Sequence, residues 1–153
     1  MENEARCRKL LERLRASNEV DRRDYDRAAA AMPALRLKQF LEEQEEQKRE
    51  FDRIISEKIA KLNPEGDLEE DFFETLSKKA GDDFEEQKDL ETAEEGGLSL
   101  WCEHREQRNF LLYQKLLAEI EEAEIREMLM RQKHKIALAL EELKELKAEG
   151  EKP

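Results

Sequence analysis

The sequence predicts an all-α protein: a four-helix up-down bundle with one long crossover between the second and third helices. Charged residues make up 44% of the 153 residues, with 5 Gly, 3 Pro and 6% aromatic residues, a composition that excludes an all-β fold. Apolar residues recur at helical spacing in four stretches, and an acidic segment containing most of the glycines separates the first two from the last two. We expect a single domain over residues 1–153.

The first helix is predicted over about residues 3–31 and the second over about 34–62, each with an apolar stripe of helical period. Pro33 separates them, because a proline ring clashes with the preceding turn but is tolerated in the first turn of a new helix. Since the connection is so short, the two helices are expected to lie antiparallel.

The acidic crossover spans residues 63–97 and holds 14 Asp or Glu residues against 3 Lys. Such a segment is typical of a surface connection, and we expect a short helix within it at about residues 68–79. Its charge would steer a basic protein partner towards the molecule, an effect that salt weakens. The alternative is a linker that only keeps the chain in solution.

The third and fourth helices are predicted over about residues 98–119 and 123–148. No Gly or Pro lies between Ile120 and Ile125, so periodicity alone also permits one continuous helix and a structural coiled coil, elongated in solution. Laying Tyr25 on Tyr113 aligns the two halves of the chain and places a break equivalent to Pro33 near residues 119–123.

The net charge of −12 argues against nucleic acid and anionic membranes as partners, because their phosphates would repel the chain. No run of about 18 apolar residues predicts a transmembrane helix, and the opening residues lack the pattern of a signal peptide. We therefore expect a cytoplasmic protein.

Several short motifs resemble the ferritin-like superfamily, and most closely an uncharacterised bacterial family of about 150 residues. The first helix carries Asp24-Tyr25-Asp26-Arg27-Ala28-Ala29, the second Phe40-Leu41 and Gln47-Lys48-Arg49-Glu50-Phe51, and the third Glu106 and Leu112-Tyr113. The resemblance covers nearly the whole chain and implies a ferritin-like bundle. It does not by itself imply an activity.

Ferritin-like enzymes hold two irons with one Glu from each of two helices and a Glu-x-x-His pair from each of the other two. The resemblance puts these Glu and His positions near Lys48 and Phe51 on the second helix and near Ala137 and Leu140 on the fourth. An ammonium group and hydrocarbons cannot ligate iron, so we expect no metal and no other cofactor. The alternative is a metal-binding or oxidoreductase protein with an altered set of carboxylate ligands.

Polar residues interrupt the apolar stripe near the middle of every helix, namely Asn18, Asp21, Gln44, Gln47, Lys48, Arg105, Glu106, Asn109 and Gln132. We hypothesise a central polar layer in place of the irons. It would contain Asp21, Tyr25, Lys48, Arg105, Glu106 and Tyr113. Such a layer would fix the register of the helices more than it adds stability. The alternative is that half of these residues point outward.

No catalytic signature is present, so an enzyme is not expected. Cys7 and Cys102 are predicted to be free thiols. Trp101, Phe110 and Leu111 are expected to leave an apolar patch on the third helix, which would serve a dimer or contact the crossover. The sequence thus predicts a non-catalytic bundle that binds a protein partner or itself.

Overall fold

The computed structural model describes residues 2–32, 34–62 and 95–150, with side chains at 4–32, 34–62 and 97–148. Within these ranges the protein is all-α and has four helices: α1 at Glu2–Ala31, α2 at Leu35–Lys61, α3 at Glu95–Glu119 and α4 at Ala123–Gly150. The predicted short helix at 68–79 and most of the acidic crossover lie outside the described residues.

The described residues group into two compact units. Unit 1 contains residues 2–28 of α1 with residues 41–62 of α2, and unit 2 contains residues 29–40 with α3 and α4, Pro33 lying outside the described residues. That the chain forms a single domain with up-down topology stays a prediction.

In unit 1, side-chain contacts between α1 and α2 pair later positions of α1 with earlier positions of α2. Arg15 Nη1 donates to Ser56 Oγ at 3.3 Å, and Arg22 Nη1 donates to Glu45 Oε1 at 3.1 Å. The two helices are therefore antiparallel, as the short connection predicted.

In unit 2, α3 and α4 are also antiparallel, since Tyr113 contacts Gln132 and Glu103 pairs with Lys147. The predicted break between these helices is confirmed, because residues 120–122 are not helical. Here the Glu122 carboxylate accepts the backbone N–H of Ile125 at 3.0 Å, which caps the start of α4. The Arg126 guanidinium donates to the carbonyls of Leu117 and Ile120 and so satisfies the end of α3.

Each helix buries one stripe of residues spaced by alternating steps of four and three, the pattern that keeps one face turned inward. On α4 the stripe is apolar apart from Gln132 and includes Leu129, Ile136 and Leu143, all with 0% exposure. On α1 it begins with Cys7, Leu11 and Leu14, continues through Asn18, Asp21 and Tyr25, and ends with Ala28 and Met32. The polar residues thus occupy positions that the packing pattern assigns to the interior.

Candidate functional site

The structure buries eight of the nine polar residues that interrupt the apolar stripes, and the ninth, Gln47, is half-buried. The alternative that half of them point outward is therefore wrong. All six residues of the hypothesised layer are buried, with exposures of 2% for Asp21, 5% for Arg105, and 0% for Tyr25, Lys48, Glu106 and Tyr113.

The part of the layer in unit 1 is built from one face of α1 and one face of α2. Interpolating between the Arg15–Ser56 and Arg22–Glu45 contacts places Asp21 within about half a helical turn of the height of Lys48 on the facing helix. The Lys48 ammonium lies 5.4 Å from the centre of the Phe51 ring, a cation–π distance. A fully buried amine is costly unless it is paired, so a carboxylate at the same height suits its charge.

The part of the layer in unit 2 is a chain of hydrogen bonds on α3 and α4. The Tyr113 hydroxyl donates to Gln132 Oε1 at 2.6 Å, and Asn109 Nδ2 donates to Glu106 Oε1 at 3.1 Å. One turn earlier, the Arg105 guanidinium stacks on the Trp101 ring at 4.8 Å from its centre. Both charged groups of this part, Arg105 and Glu106, are therefore held by neighbours on their own helix.

Asp21 and Glu106 both lie in the interior, as the layer requires. The structure brings Tyr113 together with Gln132 and places Asp21 near the height of Lys48. Pairing between the residues of unit 1 and those of unit 2 stays a prediction.

The residues that the resemblance places at ligand positions are unsuited to iron. Lys48 and Phe51 are buried, and Ala137 and Leu140 are half-buried. Within residues 2–32, 34–62 and 95–150, no group of three or more His, Cys, Asp or Glu side chains lies close enough to hold a metal ion.

The histidines and cysteines have contrasting environments. His104 and His134 are both exposed, as expected for His134 from its basic neighbours. Cys7 and Cys102 are free and buried. Burial raises the pKa of the Cys102 thiol, and the charge of Glu106 adds to this rise, so the reactive thiolate is disfavoured.

Unit 1 also carries a surface groove that the sequence did not reveal. It has a volume of about 400 Å³ and lies between α1 and α2, with Glu19 and Asp52 among its lining residues. Burial raises the pKa of Asp52 to about 7, and the Glu19 carboxylate adds to this rise, while Arg15 and Arg22 oppose it. Asp52 is half-buried, and its Oδ1 atom has no hydrogen-bond partner among the described residues.

An ionic network borders this groove. The Arg22 guanidinium contacts Glu19 at 2.8 Å on its own helix and Glu45 at 3.1 Å on α2. The hydrogen bond from Arg22 lowers the pKa of Glu19, so the charge on Glu19 persists beside Asp52. No sequence motif identifies this cluster, because it depends on the register between two helices.

Unit 2 differs in its outer surface. Among the residues that the structure describes, five large hydrophobic side chains are exposed, and all belong to unit 2: Leu35 at 67%, Leu111 at 63%, Met130 at 58%, Leu138 at 55% and Leu100 at 46%. The predicted patch on α3 needs correction. Trp101 is buried at 6% exposure and its ring contacts the Arg105 guanidinium, and Phe110 is half-buried beneath the Lys133 ammonium. Leu111 alone of the three is fully on the surface.

Comparison with known proteins identifies no relative: no family model, no curated protein and no solved structure matches the chain. The resemblance to ferritin-like proteins therefore stays a prediction. In the part of the chain that the structure describes, no helix combines the length and the apolar character needed to cross a bilayer.

Proposed function

We propose that this protein is a non-catalytic binding module: a ferritin-like four-helix bundle that lacks the conventional di-iron ligands and acts by contacting another protein or a second copy of itself. The observation that carries the proposal is the exposure of five large hydrophobic side chains in unit 2, including Leu35 and Leu111 at above 60%. Exposed apolar residues that share a helix face are a common feature of protein-binding surfaces.

The interior supports the same proposal. At the position where the resemblance expects a ligand, the chain has Lys48, which is fully buried. A buried ammonium repels a metal cation and needs a nearby carboxylate for its own charge. The interior carboxylates then serve the pairing of helices, and the exposed surface serves binding.

Metal analysis tests this function against the alternative of a metal-binding protein. The full chain is purified after growth in medium supplemented with iron or with manganese, and its metal content is measured. We expect less than about a tenth of an ion per chain, because the interior offers an amine where a ligand is needed.

Two variants make this test specific. If metal were bound through interior carboxylates, Glu106→Gln would remove it, whereas the matched change Glu103→Gln, on the same helix but outside the buried stripe, would not. Close to two ions per chain that depend on Glu106 would contradict the proposal and favour the metal-binding alternative.

A further inference from the structure

Two carboxyl groups meet in the groove between α1 and α2 of unit 1, and their hydrogen bonds are unequal. Arg22 donates to both carboxylate oxygens of Glu19, at 2.8 and 3.1 Å, and Arg23 donates to Oε1 at 3.3 Å. The Asp52 carboxyl lies within hydrogen-bonding reach of Glu19 and lines the same groove. Its Oδ1 atom is buried, and no N–H or O–H group of the described residues donates to it. The groove thus favours the ionised form of Glu19 but not of Asp52.

The cations around the groove do not offset this difference. The charged groups that face Asp52 are Arg15, Glu19, Arg22 and Arg23 from α1 and Arg53 from α2. Arg15 donates to Ser56 Oγ at 3.3 Å, and each of the other three arginines contacts glutamates. None of these guanidinium groups donates to Asp52 Oδ1. A negative charge on Asp52 would therefore be buried without a hydrogen-bond donor, beside the charge of Glu19.

We propose that Asp52 keeps a proton in slightly acidic to neutral solution and donates it to the Glu19 carboxylate, so that one shared proton joins α1 to α2 and makes their contact sensitive to pH. Two ionised carboxylates can only accept hydrogen bonds, whereas a neutral acid beside a carboxylate gives the pair its donor. Burial supports this assignment, because it raises the pKa of Asp52 to about 7. The inference goes beyond the proposed function, since it concerns unit 1 and not the exposed apolar residues of unit 2.

The effect of rising pH on the groove follows from this assignment. The proton passes from Asp52 to water, the hydrogen bond to Glu19 is lost, and a second negative charge appears in the groove. Arg22 also contacts Glu45 of α2, at 3.1 Å, and both of these groups stay charged. Ionisation should therefore loosen the contact around Asp52 without separating the two helices.

Carbon-13 NMR of the carboxyl groups in the labelled full chain tests where the proton is. The Asp52 signal should titrate near pH 7. The hydrogen bond from Arg22 lowers the pKa of Glu19, so its signal should titrate below the ordinary range of a glutamate and show a smaller second change when Asp52 ionises. An Asp52 signal that titrates near about pH 4, like that of an exposed aspartate, would overturn the proposal.

One variant separates the shared proton from burial alone. Glu19→Gln removes the neighbouring charge and supplies an amide donor, so the acid dissociation constant of Asp52 should rise at least about tenfold. Glu46→Gln, a change of an exposed glutamate of α2 that does not line the groove, should leave the titration of Asp52 unaltered. If Asp52 still titrated near pH 7 in Glu19→Gln, burial alone would hold its proton and the pairing would be wrong.

Hydrogen exchange tests whether the contact responds to pH. After correction for the intrinsic exchange rates, protection of the backbone amides near Glu19 and Asp52 should fall at least about threefold between about pH 6 and about pH 8.5. Asp52→Asn should abolish this change, because its amide can donate to Glu19 at both pH values. The amides near Tyr113 in unit 2 are the internal control. An equal fall in Asp52→Asn would mean that another group titrates and would overturn the proposal, whatever the metal content or association of the protein.

Discussion

In unit 1 the helices are joined across their surface by charged side chains, whereas in unit 2 the middle of the helix pair is joined by a buried neutral hydrogen bond. Arg22 bridges Glu19 and Glu45 at a partly exposed site, and Asp52 lies in a groove beside them. Tyr113 and Gln132, by contrast, meet with almost no exposure to solvent.

The outer surfaces of the two units also differ. The described part of unit 1 exposes no large hydrophobic side chain, and the described part of unit 2 exposes five. Surface charge–charge contacts respond to salt and pH, whereas buried neutral hydrogen bonds do not. Unit 2 also has an ion pair between its helices, Glu103 with Lys147, but its central contact is neutral. We therefore expect the conditions of the solution to act more strongly on unit 1 than on unit 2, and association to involve unit 2.

The largest effect is expected from Tyr113→Phe. This change leaves Gln132 Oε1 buried without its donor, so the free energy of unfolding should fall by about 1–3 kcal/mol. Urea unfolding followed by circular dichroism measures the loss, which should be the same in low and high salt because no charge is involved.

The double variant Tyr113→Phe with Gln132→Met is the control. Replacing both partners with apolar groups of similar size removes the orphaned acceptor, so most of the lost stability should return. A double variant no more stable than Tyr113→Phe would show that the Tyr113 hydroxyl stabilises the protein through other groups. The hydrogen bond to Gln132 could then no longer be contrasted with the ion pairs of unit 1.

The positions of the helices and of the inward residues could be predicted from the sequence, because both follow from the spacing of apolar residues. The predicted break near residues 119–123 and the predicted burial of Asp21 depended on this spacing alone, and both are confirmed. Trp101 was misplaced although it lies three residues after Leu98 and four before Arg105, both buried, a spacing that puts it at the inward face of the helix.

The groove at Asp52 could not be predicted for a different reason. The Asp52 carboxyl is on the flank of the buried stripe of α2, and the environment of this carboxyl depends on which residues of α1 lie opposite. A shift of one turn between the helices would replace Glu19 with another neighbour. Sequence spacing fixes the faces of each helix but does not fix the relative height of two helices to within a turn.

A change of intermediate size in the free energy of unfolding is expected from Asp52→Asn, a substitution in unit 1. The folded state raises the pKa of Asp52 to about 7, above its value in the unfolded chain, so the folded state binds the proton more tightly. Ionisation of Asp52 therefore costs stability progressively as pH rises from about 4 to about 7, and the full cost is present above about pH 7. We expect the amide of the Asp52→Asn variant to donate a hydrogen bond to the Glu19 carboxylate in the same place.

The variant should be more stable than the wild type near pH 8 by about 1–2 kcal/mol, allowing for solvent screening of a half-buried group, and nearly equal to it near pH 4. Urea unfolding at several pH values measures the difference. Asp26→Asn, at an exposed aspartate of α1, is the control. A gain that does not depend on pH would mean that Asp52 acts by packing and not by its charge.

The smallest effect is expected from Arg22→Gln. Opposite charges on Glu19 and Glu45 raise the pKa of Arg22, and losing both contacts should lower the free energy of unfolding by about 0.5–1 kcal/mol at about 0.05 M salt. The loss should shrink at about 1 M salt, because screening already weakens these contacts in the wild type.

Arg53→Gln separates contacts between helices from contacts within one. Among the ion pairs of the described residues, Arg53 pairs only with residues of its own helix, Glu50 and Glu57. Arg53 and Glu57 are exposed and Glu50 is half-buried. The free energy of unfolding of Arg53→Gln should therefore be hard to distinguish from that of the wild type at either salt concentration. If Arg53→Gln were as costly as Arg22→Gln, the ionic contribution in unit 1 would come from helix formation and not from the joining of α1 to α2. The ionic contacts of unit 1 would then stabilise single helices. They could no longer be compared with the buried hydrogen bond of unit 2 as a means of holding two helices together.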